Sequence, residues 1–214
     1  MQSQSAGVER GAARRHDLGR GLALEYLSLG WNIVETFVGL AAGIAAGSVA
    51  LVGFGLDSIV EASSATILTW RLRSELSGRR SAEDAERKAV KAVAIAFFAL
   101  ALYIGGRAVY DLITTSRPEE SAVGIVLAVV SLIVMPLLAW AKRSVARTLN
   151  SRSLQADAKQ TTLCTYISAF VLVGLGANSL FGWWWADPLA GLAIAALAVR
   201  EGRELWTTED FCCL

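Results

Sequence analysis

The chain has 214 residues, 54% hydrophobic and only 18% charged, a balance that excludes an ordinary water-soluble domain and fits one compact membrane unit. A formal net charge of +1 gives no basic field for nucleic acid. The single histidine, His16, lies ahead of the first apolar run, so Ser/His/Asp catalysis within the membrane is excluded; no other nucleophile and base pair suggests an enzyme.

Six apolar runs follow in order, at about residues 22–46, 48–70, 90–114, 122–140, 154–181 and 185–199. A helical crossing takes ~20 residues, so the pattern predicts an all-α membrane protein with six transmembrane helices. Residues 1–20 are polar, small and Arg-rich and are expected to form a disordered or interfacial tail. The transmembrane domain is expected over 21–206, with a short C-terminal tail at 207–214. The first run is too long and too late for a cleaved signal peptide. Gly78 is expected to join helices 2 and 3, with Ser81 as N-cap ahead of Glu83 and Asp84. Pro118 breaks the chain between helices 3 and 4, and Pro136 is expected to kink helix 4. The 14 residues from Glu201 to Leu214 are too few for a folded domain after helix 6.

Positive charge orients the bundle. Arg10, Arg14, Arg15 and Arg20 precede helix 1; Arg71 to Lys91 and Lys142 to Lys159 supply the basic connections between helices 2 and 3 and helices 4 and 5. The opposite connections hold Arg117 alone, which predicts cytoplasmic N- and C-termini. Trp70, Trp140, Trp183, Trp184, Trp185 and Trp206 fall near helix ends, where amphipathic rings favour the interface; Trp31 does not. Cys164, Cys212 and Cys213 lack zinc-ribbon spacing, and no structural disulfide is expected at a reducing cytoplasmic end.

Helix 2 contains GFGLDSIVEASS, with Asp57 and Glu61 four apart near mid-membrane. An ionised acid there costs ~2.5 to 3.5 kcal/mol, so the pair needs a proton or a cation. Spacing of four puts both carboxylates on one face, ~6 Å apart along the axis. Small neighbours, among them Gly53 and Gly55, admit a close second helix. Helix 5 offers Asp157, Gln160 and Cys164, and counting from each membrane face puts Glu61 between the levels of Gln160 and Cys164. A mixed set of carboxylate, amide and thiolate favours a first-row transition metal over calcium. Glu35 on helix 1 is a further candidate, ahead of Asn32, while Asp157 can also be read as favouring the positive end of a helix dipole. Arg107 and Asp111, four apart on helix 3, read as a local ion pair. SVALVGFGLDSIVE also lays onto SRSLQADAKQTTLC, pairing Ser48 with Ser151, Leu51 with Leu154, Asp57 with Gln160 and Glu61 with Cys164. That is the pattern of an inverted repeat of three plus three helices.

These segments resemble the cation diffusion facilitators, membrane exporters of zinc and related divalent metals. In that family helix 2 reads SxALLADAxHSxxD against SVALVGFGLDSIVE here, and helix 5 reads ADAxHxxxD against ADAKQTTLC. The resemblance, which also takes in WWWADPLAGLAIAALAVREGRELW with its Asp187-Pro188, covers roughly residues 22–206. It puts Asp57, Glu61, Gln160 and Cys164 on the family's four metal ligands, with Gln and Cys replacing the usual His and Asp. The absence of the family's ferredoxin-like domain makes the chain more similar to the branch of small vesicular zinc transporters.

The expectation is therefore a multi-pass protein of the plasma (inner) membrane, a homodimer packed through Gly105, Gly106 and helix 6. It moves a divalent metal, zinc foremost, in exchange for protons by alternating access, and holds no prosthetic group. The rival is a non-transporting interaction or regulatory protein of the same fold that works through its tails, Cys212 and Cys213 above all.

Overall fold

Each apolar run forms one α-helix in the computed structural model, which describes residues 2–77 and 83–208. The helices are α1 (Gln2–Ala46), α2 (Val49–Leu76), α3 (Glu83–Thr114), α4 (Ala122–Leu149), α5 (Arg152–Phe181) and α6 (Ala186–Thr208). The first five are long and apolar enough to cross a bilayer. Helix α6, of 23 residues, carries Asp187, Arg200 and Glu201 and falls outside that group. Of the two expectations for the N-terminal tail, the disordered one is corrected: α1 begins at Gln2, so residues 2–20 continue a helix, which leaves the interfacial alternative. The segment has no proline and carries Ala and Arg among its residues, so despite three glycines nothing in it stops the helix that the apolar run nucleates. Gly78, Ser81 and the two terminal cysteines lie outside the described residues.

Local chemistry sets the other boundaries. Gly47 and Gly182 take positive φ, +66° and +67°, where a residue without Cβ can end a helix. Ser121 caps α4 by accepting from Gly124 N, and Asn150 closes it in the left-handed region. Pro136 lies inside α4, which continues past it. The sequence repeat has structural content at the starts of α2 and α5. Ser48 Oγ accepts from Leu51 N at 3.1 Å, and Ser151 Oγ accepts from Leu154 N at 3.4 Å. One turn before each site, Ser58 and Thr161 donate in the same way to the carbonyls four residues back, Phe54 and Asp157.

The helices run up and down, which gathers the connections at two ends. At one end Glu119 N donates to Ala46 O, Asn178 Nδ2 donates to Pro118 O, and Asp187 reaches the start of α2. At the opposite, basic end, Leu18, Leu68, Leu72, Val145, Leu149 and Leu154 form a separate apolar cluster, and Arg14 donates to Leu149 O. Trp183 and Trp206 are exposed near helix ends, Trp140 is exposed well inside α4, and Trp183 stacks on Trp185 at 5.2 Å.

Helices α1 and α2 approach until their backbones meet. A Cβ on Gly43 would lie 2.7 Å from Val52 N, and one on Gly55 would lie 2.9 Å from Leu40 N. Gly53 admits Ile104 of α3 in the same manner. Gly105, expected on a dimer surface, instead faces Ala195 of α6 within the chain; Gly106 stays open.

Candidate metal centre

Four residues on one face of α1 are fully buried and polar: Glu25, Ser28, Asn32 and Glu35. Spacings of three and four align them along a single stripe. The stripe faces polar residues of α2, α4 and α5, and together they build three levels through the bundle.

The middle level is the cluster read from the sequence. A carboxylate oxygen of Asp57, one of Glu61 and the Cys164 sulfur all lie within 4.8 Å of one another, and all three residues are buried. Antiparallel α2 and α5 bring them together, since Glu61 Oε1 accepts from Thr161 Oγ1 at 2.8 Å and so fixes the register between the two helices. Glu61 Oε2 and Gln160 Nε2 are buried without a hydrogen-bond partner. Among the described residues no ion pair reaches Asp57 or Glu61. Buried polar atoms left unmatched in this way are a demand for a ligand or for water. The donor set of two carboxylates, a thiol and a neighbouring amide can enclose a divalent ion of borderline softness.

Glu35 stands at a second level, outside that cluster. Its carboxylate accepts from Trp31 Nε1 at 2.6 Å, Ser58 Oγ at 3.1 Å and Ser131 Oγ at 2.5 Å, and Ser168 donates on to Ser131. Trp31, the one tryptophan away from a helix end in the sequence, is thus accounted for by a buried acceptor.

Asp157 stands at the third level, nearest the basic end. Lys142 Nζ donates to its Oδ2 at 2.5 Å and to Glu25 Oε2 at 3.3 Å, with Thr161 Oγ1 at 3.4 Å. The reading of Asp157 through a helix dipole is corrected: no acid occupies the first turn of α5, and its partner is an ammonium. Lys142 itself, read as part of a basic connection, is 0% exposed inside α4. Neither Lys142 nor Glu25 was singled out as a site residue. The available signal was Glu25 at three, seven and ten residues before Ser28, Asn32 and Glu35 on one predicted face.

Asp187 is a structural acid. Ser48 Oγ donates to its Oδ1 at 2.5 Å and Val49 N to its Oδ2 at 2.9 Å, so the first turn of α6 caps the start of α2. Arg107 and Asp111 pair locally as expected, at 3.0 and 3.1 Å.

A bundle of long apolar helices with two acids and a thiol buried together at mid-depth is the build of a polytopic membrane protein. Comparison with known proteins gives the family: the profile of the cation efflux transmembrane domain matches residues 26–208, and the chain belongs to that family, the cation diffusion facilitators, which are transporters and not enzymes. An uncharacterized transporter of Synechocystis sp. is 28% identical over 184 residues, 84% of this chain and 59% of that one. A cation-efflux pump of Shewanella oneidensis is 33% identical over 107 residues, 50% of this chain and 34% of that pump. A cation-efflux pump of Citrobacter koseri is 28% identical over 173 residues, 74% of this chain and 55% of that pump. The matched regions therefore span between 34% and 59% of the length of these relatives.

Proposed function

We propose that this protein carries a divalent metal ion, zinc foremost, across the membrane, with Asp57, Glu61 and Cys164 as its ligands. The observation that supports this most directly is the meeting of two carboxyl groups and a thiol within 4.8 Å in a buried site, with no protein cation paired to them among the described residues. Gln160 or water completes a four-coordinate shell, the number that zinc favours. Such a charge set is costly in hydrocarbon until a cation neutralises it. Glu35 holds its neighbours in place from the next level, and Asp157 acts through Lys142.

Carboxylates and a thiol must shed protons before they ligate, so metal and protons compete for one site and transport proceeds as exchange. Alternating access, a sixth crossing by α6, cytoplasmic termini and residence in the plasma membrane complete the reading, supported by the basic end and the family match. The open stripe of Leu102, Tyr103, Gly106 and Ile113 on α3 is the surface through which two copies pair.

Zinc uptake into sided proteoliposomes tests the assignment. Asp57→Asn and Glu61→Gln are each expected to abolish flux while the protein stays folded. Flux unchanged in both variants would sink it and leave the non-transporting reading.

A further inference from the structure

The polar levels are in register across three helices. Glu25, Lys142 and Asp157 form one level, and Glu35, Ser131 and Ser168 form another. Their separation is ten residues on α1 and eleven on both α4 and α5, or about 15 to 17 Å at a helical rise of 1.5 Å per residue. Cys164 lies between them, seven residues beyond Asp157 and four before Ser168, and Glu61 lies a turn nearer the basic end than Asp57, whose neighbour Ser58 is at the Glu35 level.

The two sides of the cluster differ. Past the Glu35 level the lining turns apolar, with Leu51, Phe54, Leu127, Val171 and Leu175. Towards the basic end polar atoms continue, and Ser28 Oγ, Asn32 Oδ1 and Nδ2, Gln160 Nε2 and Asp157 Oδ1 are buried there without hydrogen-bond partners. Unmatched polar atoms over two turns of helix describe a path suited to water and cations. It stops at Lys142, whose ammonium fastens α1 to α5 from α4, with the leucine cluster beyond.

We propose that the Glu25, Lys142 and Asp157 triad is a latch that closes the approach from the basic end to the metal cluster, with the Lys142 ammonium as a tethered cation standing in the path of the mobile one. The proposal rests on the transport reading for its purpose but not for its test. While the triad is intact, a metal ion meets a positive charge and two acids already engaged; release of Lys142 from one acid frees α1 or α5 to move and leaves a carboxylate to receive the incoming ion.

Cys164 reports the latch directly. In full-length protein with Cys212→Ser and Cys213→Ser, in sided vesicles, a membrane-impermeant maleimide is applied from the basic end or from the other side. The parent is expected to label slowly from both. Neutralising the triad together, with Glu25→Gln, Lys142→Met and Asp157→Asn, leaves no unpaired charge and is expected to speed labelling from the basic end at least about tenfold, with no change from the other side. Lys142→Arg is expected to keep the parental rate. A swap, Lys142→Glu with Asp157→Lys, re-forms one pair and is expected to restore slow labelling. Equal rates in the parent and the neutral variant, acceleration from both sides alike, or a swap that labels as fast as the neutral variant would each overturn the latch. No metal is needed, so loss of the transport reading through an active Asp57→Asn variant would be seen separately.

Discussion

Helix α5 carries two buried polar centres seven residues apart, and they meet their charge in opposite ways. At Asp157 the protein supplies its own cation, and the Lys142 ammonium pairs with both Glu25 and Asp157 across three helices. At Cys164 no ion pair reaches the cluster among the described residues: Glu61 lies against Asp57 and Cys164 and accepts from Thr161, through which alone Lys142 makes contact. The difference separates structure from service, since a resident counter-ion holds helices together and its absence leaves room for a guest.

The comparison predicts opposite responses to the same kind of substitution. Lys142→Met strands two buried acids and is expected to destabilise the protein by about 3 to 5 kcal/mol, read from unfolding in detergent. Asp57→Asn relieves an uncompensated charge and is expected to leave unfolding unchanged or shifted towards stability, while zinc binding by calorimetry disappears. If both variants lost stability equally, the division between the two centres would fail. A next-largest effect is expected of pH on zinc affinity: ligation releases protons, so affinity rises with pH, by about tenfold per unit for each proton released. A flat calorimetric profile from pH 6 to pH 8 would mean that the ligands are not these acids and this thiol. Asp187→Ala removes the acceptor at the start of α2 and is expected to cost about 1 to 2 kcal/mol in the same unfolding assay, with metal affinity retained. Arg107→Ala, which breaks a half-exposed pair on α3, is expected to cost no more than about 0.5 kcal/mol. Together these order four charged centres by how far water and a partner share in neutralising them.

The limits of the sequence reading follow the same division. Helix ends on the side away from the basic connections were legible, the expected ends at residues 46, 114 and 181 being the observed ends of α1, α3 and α5, whereas the expected ends at 70, 140 and 199 fell short because α2, α4 and α6 run on through polar residues to 76, 149 and 208. Asp57 and Glu61 were legible because two acids at one-turn spacing in an apolar run have little structural use. Cys164 followed from counting levels along antiparallel helices 2 and 5 and from the resemblance of ADAKQTTLC to the family's helix 5; the paired caps at Ser48 and Ser151 give the accompanying repeat of the two helices physical content. Lys142 was not legible. It stands beside Arg143 at the head of a basic stretch, and charge patterning cannot separate a solvated lysine from one turned inward by the phase of α4. Glu25 was hidden for a related reason, because α1 extends far beyond its apolar run and the acid lay close to the expected boundary. The helical propensity of residues 2–20, set aside for their polarity, would have corrected both the tail and the depth of Glu25.

The contact of Gly43 with Val52 and of Gly55 with Leu40 bears on how such a bundle can move. Where peptide planes touch with no side chain between them, there is no soft layer to shear, and a slip of even a fraction of a turn drives one main chain into another. Helices α1 and α2 therefore travel as one stiff plank. On the transport reading proposed above, a rearrangement that uncovers the cluster tilts that plank as a unit against α4 and α5, with the glycine seam keeping its two helices together.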